Sequence, residues 1–147
     1  MGVTDIQPGR RYRLTNVKTT DNVLDLSGAD NRSLIGYAWN GGDNQKWLFE
    51  RNNDGWTIRN VATGLYASID SHSNGAKVVG RQEPFTWHIW HAENGNNQQF
   101  RISVPNVKKS LDLSNHGQGP DIEIWGQWQG ENQLWYLDEG KFGTSRG

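Results

Sequence analysis

The chain repeats itself with a fixed step. Tyr12-Arg13-Leu14, Trp56-Thr57-Ile58 and Phe100-Arg101-Ile102 each open on an aromatic residue, and the second and third stand 44 residues after the one before. Leu34, Val78 and Ile122 follow the same step, and so do Tyr37, Arg81 and Trp125. Three landmarks on one period of 44 residues make this a threefold repeat, which constrains the fold before any single element is assigned.

Each repeat reads as short alternating strands broken by Gly, Asn and Asp. The second strands are Leu24-Asp25-Leu26, Ala67-Ser68-Ile69 and Leu111-Asp112-Leu113, followed by the polar turns SGADNRS, DSHSNGA and SNHGQGP. The fourth strands begin at Trp47-Leu48-Phe49, Trp87-His88-Ile89 and Trp135-Tyr136-Leu137. No segment holds a helical period over about 11 residues. Twelve short strands in three like units fit a closed all-β fold better than an open sandwich, since closure removes edges. The expected architecture is a β-trefoil. Residues 9–138 form its single domain, in repeats of about 9–52, 53–95 and 96–138. Residues 1–8 are an N-terminal arm and 139–147 a flexible C-terminal tail; both ends look loose.

Only a third of the chain is apolar, so a core must rest on a few large side chains. Eight Trp supply them, each able to bury on the order of 150–250 Å². That exceeds what one small core needs. Some Trp are therefore expected at the surface, the alternative being that all are core. With 15 basic and 16 acidic residues interspersed, no positive stripe exists for nucleic acid. No apolar run suffices for membrane insertion, and MGVTDI is neither a secretory leader nor a myristoylation signal. Cysteine is absent, excluding disulfides, thiolate metal sites and a Cys nucleophile. These features suggest a cytoplasmic protein, secretion by another route remaining open. The sequon Asn31-Arg32-Ser33 then carries little meaning.

Gln45-Lys46-Trp47 and Gln133-Leu134-Trp135 place Gln-x-Trp at the ends of two repeats, whereas the middle one has Phe85-Thr86-Trp87. Gln98-Gln99-Phe100 falls instead at the start of the third repeat's first strand. In these motifs, over roughly residues 9–138, the chain resembles the ricin B-type lectin family, and most closely its short cysteine-free fungal agglutinins. The Trp is expected to fill the shared core. The Gln amide can satisfy backbone groups of the preceding loop, a purely structural role, while Asn44 and Asn132 point more plausibly to a ligand.

A sugar presents vicinal hydroxyls on one edge and C–H groups on one face. A carboxylate accepts from two hydroxyls, an aromatic ring stacks beneath the C–H patch, and an Asn amide orients a further hydroxyl. The third repeat offers Asp112, Trp125 and Asn132 with Gln133; the first offers Asp25, Tyr37 and Asn44 with Gln45. Ring and amide are 7 residues apart in both. In the middle repeat Ser68 and Arg81 replace acid and ring, and the loop shortens to QEPFT, so that site is lost or altered. Galactose and N-acetylgalactosamine are the sugars the resemblance implies, on glycoproteins or glycolipids, with homodimerisation a route to further valency. Duller roles exist: Asp25 and Asp112 could cap their own turns. Trp125, closing the run of Ile122 and Ile124, is expected on their face unless a bulge or strand end at Gly126 releases it. Glu123 faces the other way and would rim the third site. Trp39 and Trp128 are either extended platforms or plain surface.

No enzymatic reading survives. His72, His88, His91 and His116 show no metal-ligand spacing, so neither metal nor cofactor is expected. Nucleophile-elbow and phosphate-loop motifs are missing. Asp25 and Asp112 lie in different repeats, too far apart to share a glycosidic bond. The rival to a lectin is a trefoil acting through its loops as a protease inhibitor or protein-interaction module.

Overall fold

In the computed structural model, residues 2–114 and 120–139 are described. The first repeat supplies β1 (Arg10–Asn16), β2 (Val23–Leu26), β3 (Leu34–Tyr37) and β4 (Trp47–Asn52). The second supplies β5 (Gly55–Asn60), β6 (Tyr66–Ile69), β7 (Val78–Arg81) and β8 (His88–His91). The third supplies β9 (Gln99–Ser103), β10 (Lys109–Leu113), β11 (Ile122–Gly126) and β12 (Trp135–Asp138). β1 pairs with both β12 and β4, β4 with β5, β8 with β9, and β9 with β12. Reciprocal backbone bonds between Trp56 and Trp87 join β5 to β8 and complete a six-stranded ring. The hairpins β2–β3, β6–β7 and β10–β11 meet through the bridges Ser33↔Val79, Lys77↔Glu123 and Asp121↔Ile35. Those bridges are one contact repeated at the 44-residue step, which makes the fold a β-trefoil.

The landmark residues are the core. Tyr12, Trp56 and Phe100 are buried, as are Leu34, Val78 and Ile122. Trp47, Trp87 and Trp135 are wholly inaccessible, and each donates its indole N–H to a second-strand carbonyl: Leu24 at 3.1 Å, Ala67 at 3.0 Å and Leu111 at 3.2 Å. A buried indole N–H without a partner would be costly. Position and hydrogen bond are therefore set together, three times. Edge-to-face contacts of Tyr12 with Phe49 (5.4 Å) and Phe85 with Trp87 (4.9 Å) add about 0.5–1.5 kcal/mol each.

One expectation changes. Among residues 2–9 the arm is stitched down rather than loose: Val3 N donates to the Leu137 carbonyl, Gly9 N to that of Phe49, and Gln7 N to the Tyr12 hydroxyl. Val3 and Ile6 pack on the core, so the arm covers apolar surface of the ring. The described residues also include two short 3-10 turns, Asp43–Gln45 and Glu131–Gln133, too brief for any periodicity to reveal. Residues 115–119, part of the third polar turn with His116, and the tail from 140 to 147 lie outside the described residues.

Since the indole lock is common to all repeats, Trp87→Phe in the middle repeat is expected to destabilise the fold as much as Trp47→Phe. Loss of one hydrogen bond and part of a ring corresponds to about 2 kcal/mol by urea denaturation. A much smaller effect at position 87 would contradict the shared role.

Candidate functional site

On β10 and β11 the cross-strand partners are Leu111↔Ile124, Leu113↔Ile122, Asp112↔Glu123 and Ser110↔Trp125. Residues on one face of a strand are two apart. Leu111, Leu113, Ile122 and Ile124 therefore face the core, while Asp112, Glu123 and Trp125 share the outer face. This corrects the expected placement of Trp125 beside Ile122 and Ile124: an odd separation from Ile122 puts it on the opposite side, and β11 runs unbroken through Gly126 without a bulge. The Trp125 ring is 47% exposed. In the first repeat Asp25↔Ile35 and Val23↔Tyr37 give the same relation of acid to ring, with Tyr37 44% exposed.

Both carboxylates lie beneath the 3-10 turn that follows. Gln133 Nε2 donates to Asp112 Oδ2 at 2.9 Å and to the Gly126 carbonyl at 3.0 Å, while its Oε1 accepts from Trp128 N–H at 3.1 Å. Gln45 repeats all three bonds, to Asp25 Oδ2 (2.7 Å), the Ala38 carbonyl (2.8 Å) and Asn40 N–H (2.8 Å). Both glutamines are fully buried. They position the acid and brace the loop; neither amide is presented to solvent. Burial pushes the Asp25 carboxyl above the ordinary aspartate range, opposed by hydrogen bonds from Gln45 and Asn44. Glu123 is likewise raised, chiefly by burial and then by the charges of Asp112 and Asp121, and it is the cross-strand partner of Asp112.

Asn132 Nδ2 donates to Asp112 Oδ1 at 3.1 Å, but Asn132 Oδ1 is buried and has no hydrogen-bond partner among the described residues. The amide is thus spent on the acid, and its oxygen is turned away from solvent. Asn44 stands equivalently, its Nδ2 3.4 Å from the Leu26 carbonyl.

Sequence reasoning missed three supports. Asn16 Nδ2 holds the Asn132 carbonyl and Asn60 Nδ2 the Asn44 carbonyl, both at 3.0 Å. Asn16 and Asn60 sit on the 44-residue step, with Val104 at the third position, so the repeated amide was legible in the sequence. Arg101 was not, because a charged residue on a first strand reads as surface. It is 2% exposed, donating to Gln133 Oε1 at 3.0 Å, Ser110 Oγ at 3.1 Å and the Trp128 carbonyl at 3.0 Å. Its bidentate contact holds the Glu93 carboxyl down at about 2.

The middle repeat brings no equivalent set together: Ser68 replaces the acid, and the Arg81 guanidinium bonds Asp70. Among the other aromatics, Trp39 is half-buried beneath Arg13, whereas Trp90 and Trp128 are exposed. Not all the tryptophans are core. A hollow of about 440 Å³ is lined by Glu93, Asn94, Arg101, Gln129, Glu131 and Leu134, none of which belongs to either acid–ring pair.

A family model described as ricin-type beta-trefoil lectin domain-like matches residues 43–125. The structure of the Macrolepiota procera ricin B-like lectin in complex with lactose is similar at 38% identity and a TM-score of 0.89, over 92% of this chain and 99% of that one. The Rhizoctonia solani agglutinin is similar at 30% identity and a TM-score of 0.80, over 92% and 99%. The designed 3-fold symmetric protein ThreeFoil, at 22% identity and 0.76 over 86% and 96%, shares the fold. Repeat, indole locks and buried Gln–Asp pairs thus occur in a chain that the family model and two fungal lectins match over most of its length, and the protein belongs to the ricin-type β-trefoil lectin family.

Proposed function

We propose that this protein is a non-catalytic lectin with two shallow sites, in the first and third repeats, for glycans bearing galactose or N-acetylgalactosamine. The observation that carries the reading is the third cup: the Asp112 carboxylate and the half-exposed Trp125 ring share one face of one hairpin, and the Asn132 amide of the following turn is held on that acid. The carboxylate accepts from two adjacent hydroxyls, the stronger kind of hydrogen bond. The ring removes a C–H face from water. Asn132, held against the acid, orients a further hydroxyl. Galactose, with its axial O4, has the continuous apolar face such a ring requires. The lactose complex of the Macrolepiota lectin supports that class of ligand. Asp25, Tyr37 and Asn44 make the first cup, and Gln45 and Gln133 hold the acids in place without touching sugar.

Asp25 and Asp112 hang from separate hairpins, an arrangement for two independent binding events rather than one hydrolysis. Each cup is open to water and weak alone. Two per chain, or more in a homodimer, raise avidity on a glycan-covered surface by on the order of a hundredfold without new contacts.

Calorimetric titration with lactose tests the assignment. Asp112→Ala is expected to remove the third site, weakening it by on the order of a hundredfold through lost charge-assisted hydrogen bonds, and to leave one site per chain. Adding Asp25→Ala removes binding altogether, and a folded double variant that still titrates with lactose sinks the proposal. Acidification gives a second readout. Because the folded-state Asp25 carboxyl is raised, it protonates above the ordinary aspartate range. First-site binding, isolated in Asp112→Ala, should fade as pH falls into that window. The sign for stability is opposite: a raised carboxyl binds its proton more tightly when folded, so its unfavourable contribution is relieved as pH drops. Binding that holds constant down to the ordinary aspartate range would argue against an Asp25 carboxylate acceptor.

A further inference from the structure

Each cup in this trefoil borders on a second repeat. Where β2–β3 type turns dock on the next hairpin, one backbone bond recurs at the 44-residue step: Gly80 N to the Arg32 carbonyl, Ile124 N to that of Ala76, and Gly36 N to that of Pro120. The third cup is therefore flanked by the β6–β7 turn of the middle repeat, the repeat with no cup of its own. That attachment is extensive. Gly75 N returns a bond to the Ile124 carbonyl, Asn74 Oδ1 accepts from Gly126 N–H at 2.9 Å, and Lys109 Nζ donates to the His72 carbonyl. At the root of the turn Asp70 is held by both Arg32 and Arg81. The arginine that replaced the middle ring now braces this turn.

Gly75 lies directly against Trp125. Its φ is +84°, and a Cβ built there would stand 3.3 Å from Cζ3 of the Trp125 ring. The ring rests on a residue that cannot push it away. Beyond it, Ser71, His72, Ser73 and Asn74 are exposed and polar. We infer that residues 71–76 of the middle repeat are a specificity-determining wall of the third saccharide cup, setting the attitude of the Trp125 ring and forming a subsite for the hydroxyl-rich sugar unit attached to the bound galactoside. This inference rests on the galactoside reading above. It gives the eroded repeat a role in recognition that its missing acid and ring do not suggest.

The pseudosymmetric position 31 supplies the test. Asn31 occupies the left-handed region there with φ +54°, so Gly75→Asn can keep the backbone while placing a side chain under the ring. The experiment uses Asp25→Ala, in which the third cup stands alone, titrated with methyl β-galactoside and with lactose. Gly75→Asn is expected to weaken both by between about twofold and tenfold, the range of an aromatic contact. It should also shift the Trp125 indole NMR signal, assigned through Trp125→Phe. His72→Ala with Ser73→Ala should lower the lactose-to-methyl-galactoside preference while leaving methyl galactoside affinity unchanged, which a general loss of structure would not do. In the reciprocal Asp112→Ala background none of these changes should alter first-cup affinity. Unchanged third-cup affinities and an unmoved indole signal would overturn the inference. If Asp25→Ala binds neither sugar but the indole signal still moves, the galactoside reading and the subsite fall, and the contact between wall and ring stands.

Discussion

The indole N–H of Trp47, Trp87 and Trp135, donated to the carbonyl before Asp25, Ser68 and Asp112, is the constraint from which the rest follows. Each Trp fills the space between its own fourth strand and its own second strand. The bond exists only when the ring is seated at the right depth, so packing and polarity agree on one geometry. The middle repeat has Ser68 and Arg81 in place of acid and ring but keeps this bond, so the lock belongs to the fold.

The cups are built on top of it. With the second strand pinned from below, its outward residue is Asp25 or Asp112, and the 3-10 turn just before the Trp brings a Gln amide down onto that acid. The Gln is two residues from the Trp, so the lock also sets how deep the amide reaches. Both Gln N–H donors are then used on the acid and the loop carbonyl, and the amide oxygen accepts from the loop N–H. The acid is held buried, which raises its affinity for protons in the first repeat. The third cup is braced further, by Arg101 behind Gln133 and by the neighbouring turn under Trp125.

In this chain each repeat's second turn is bonded to the hairpin of the next repeat, so the three repeats brace one another. Arg81 illustrates this: as a platform it is useless, but as a partner of Asp70 it steadies the turn that the next cup leans on. Exposed ion pairs of this sort contribute little to stability. Their value here is geometric.

The period of 44 residues, the alternation within strands and the Gln-x-Trp endings determined the trefoil, the buried Trp set and the pairing of acid with ring, because each depends on residues near in sequence or related by the repeat. Other features were decided only by the tertiary structure. Arg101 is buried because an acid from a neighbouring loop meets it there, Asn132 is left with an unpaired acceptor by the atoms around it, and the arm is fixed by carbonyls of Phe49 and Leu137 far along the chain. The face of Trp125 was available from strand parity alone. What it rests on was not: Gly75 comes 50 residues earlier in another repeat, and only folding brings a residue without a side chain beneath that ring.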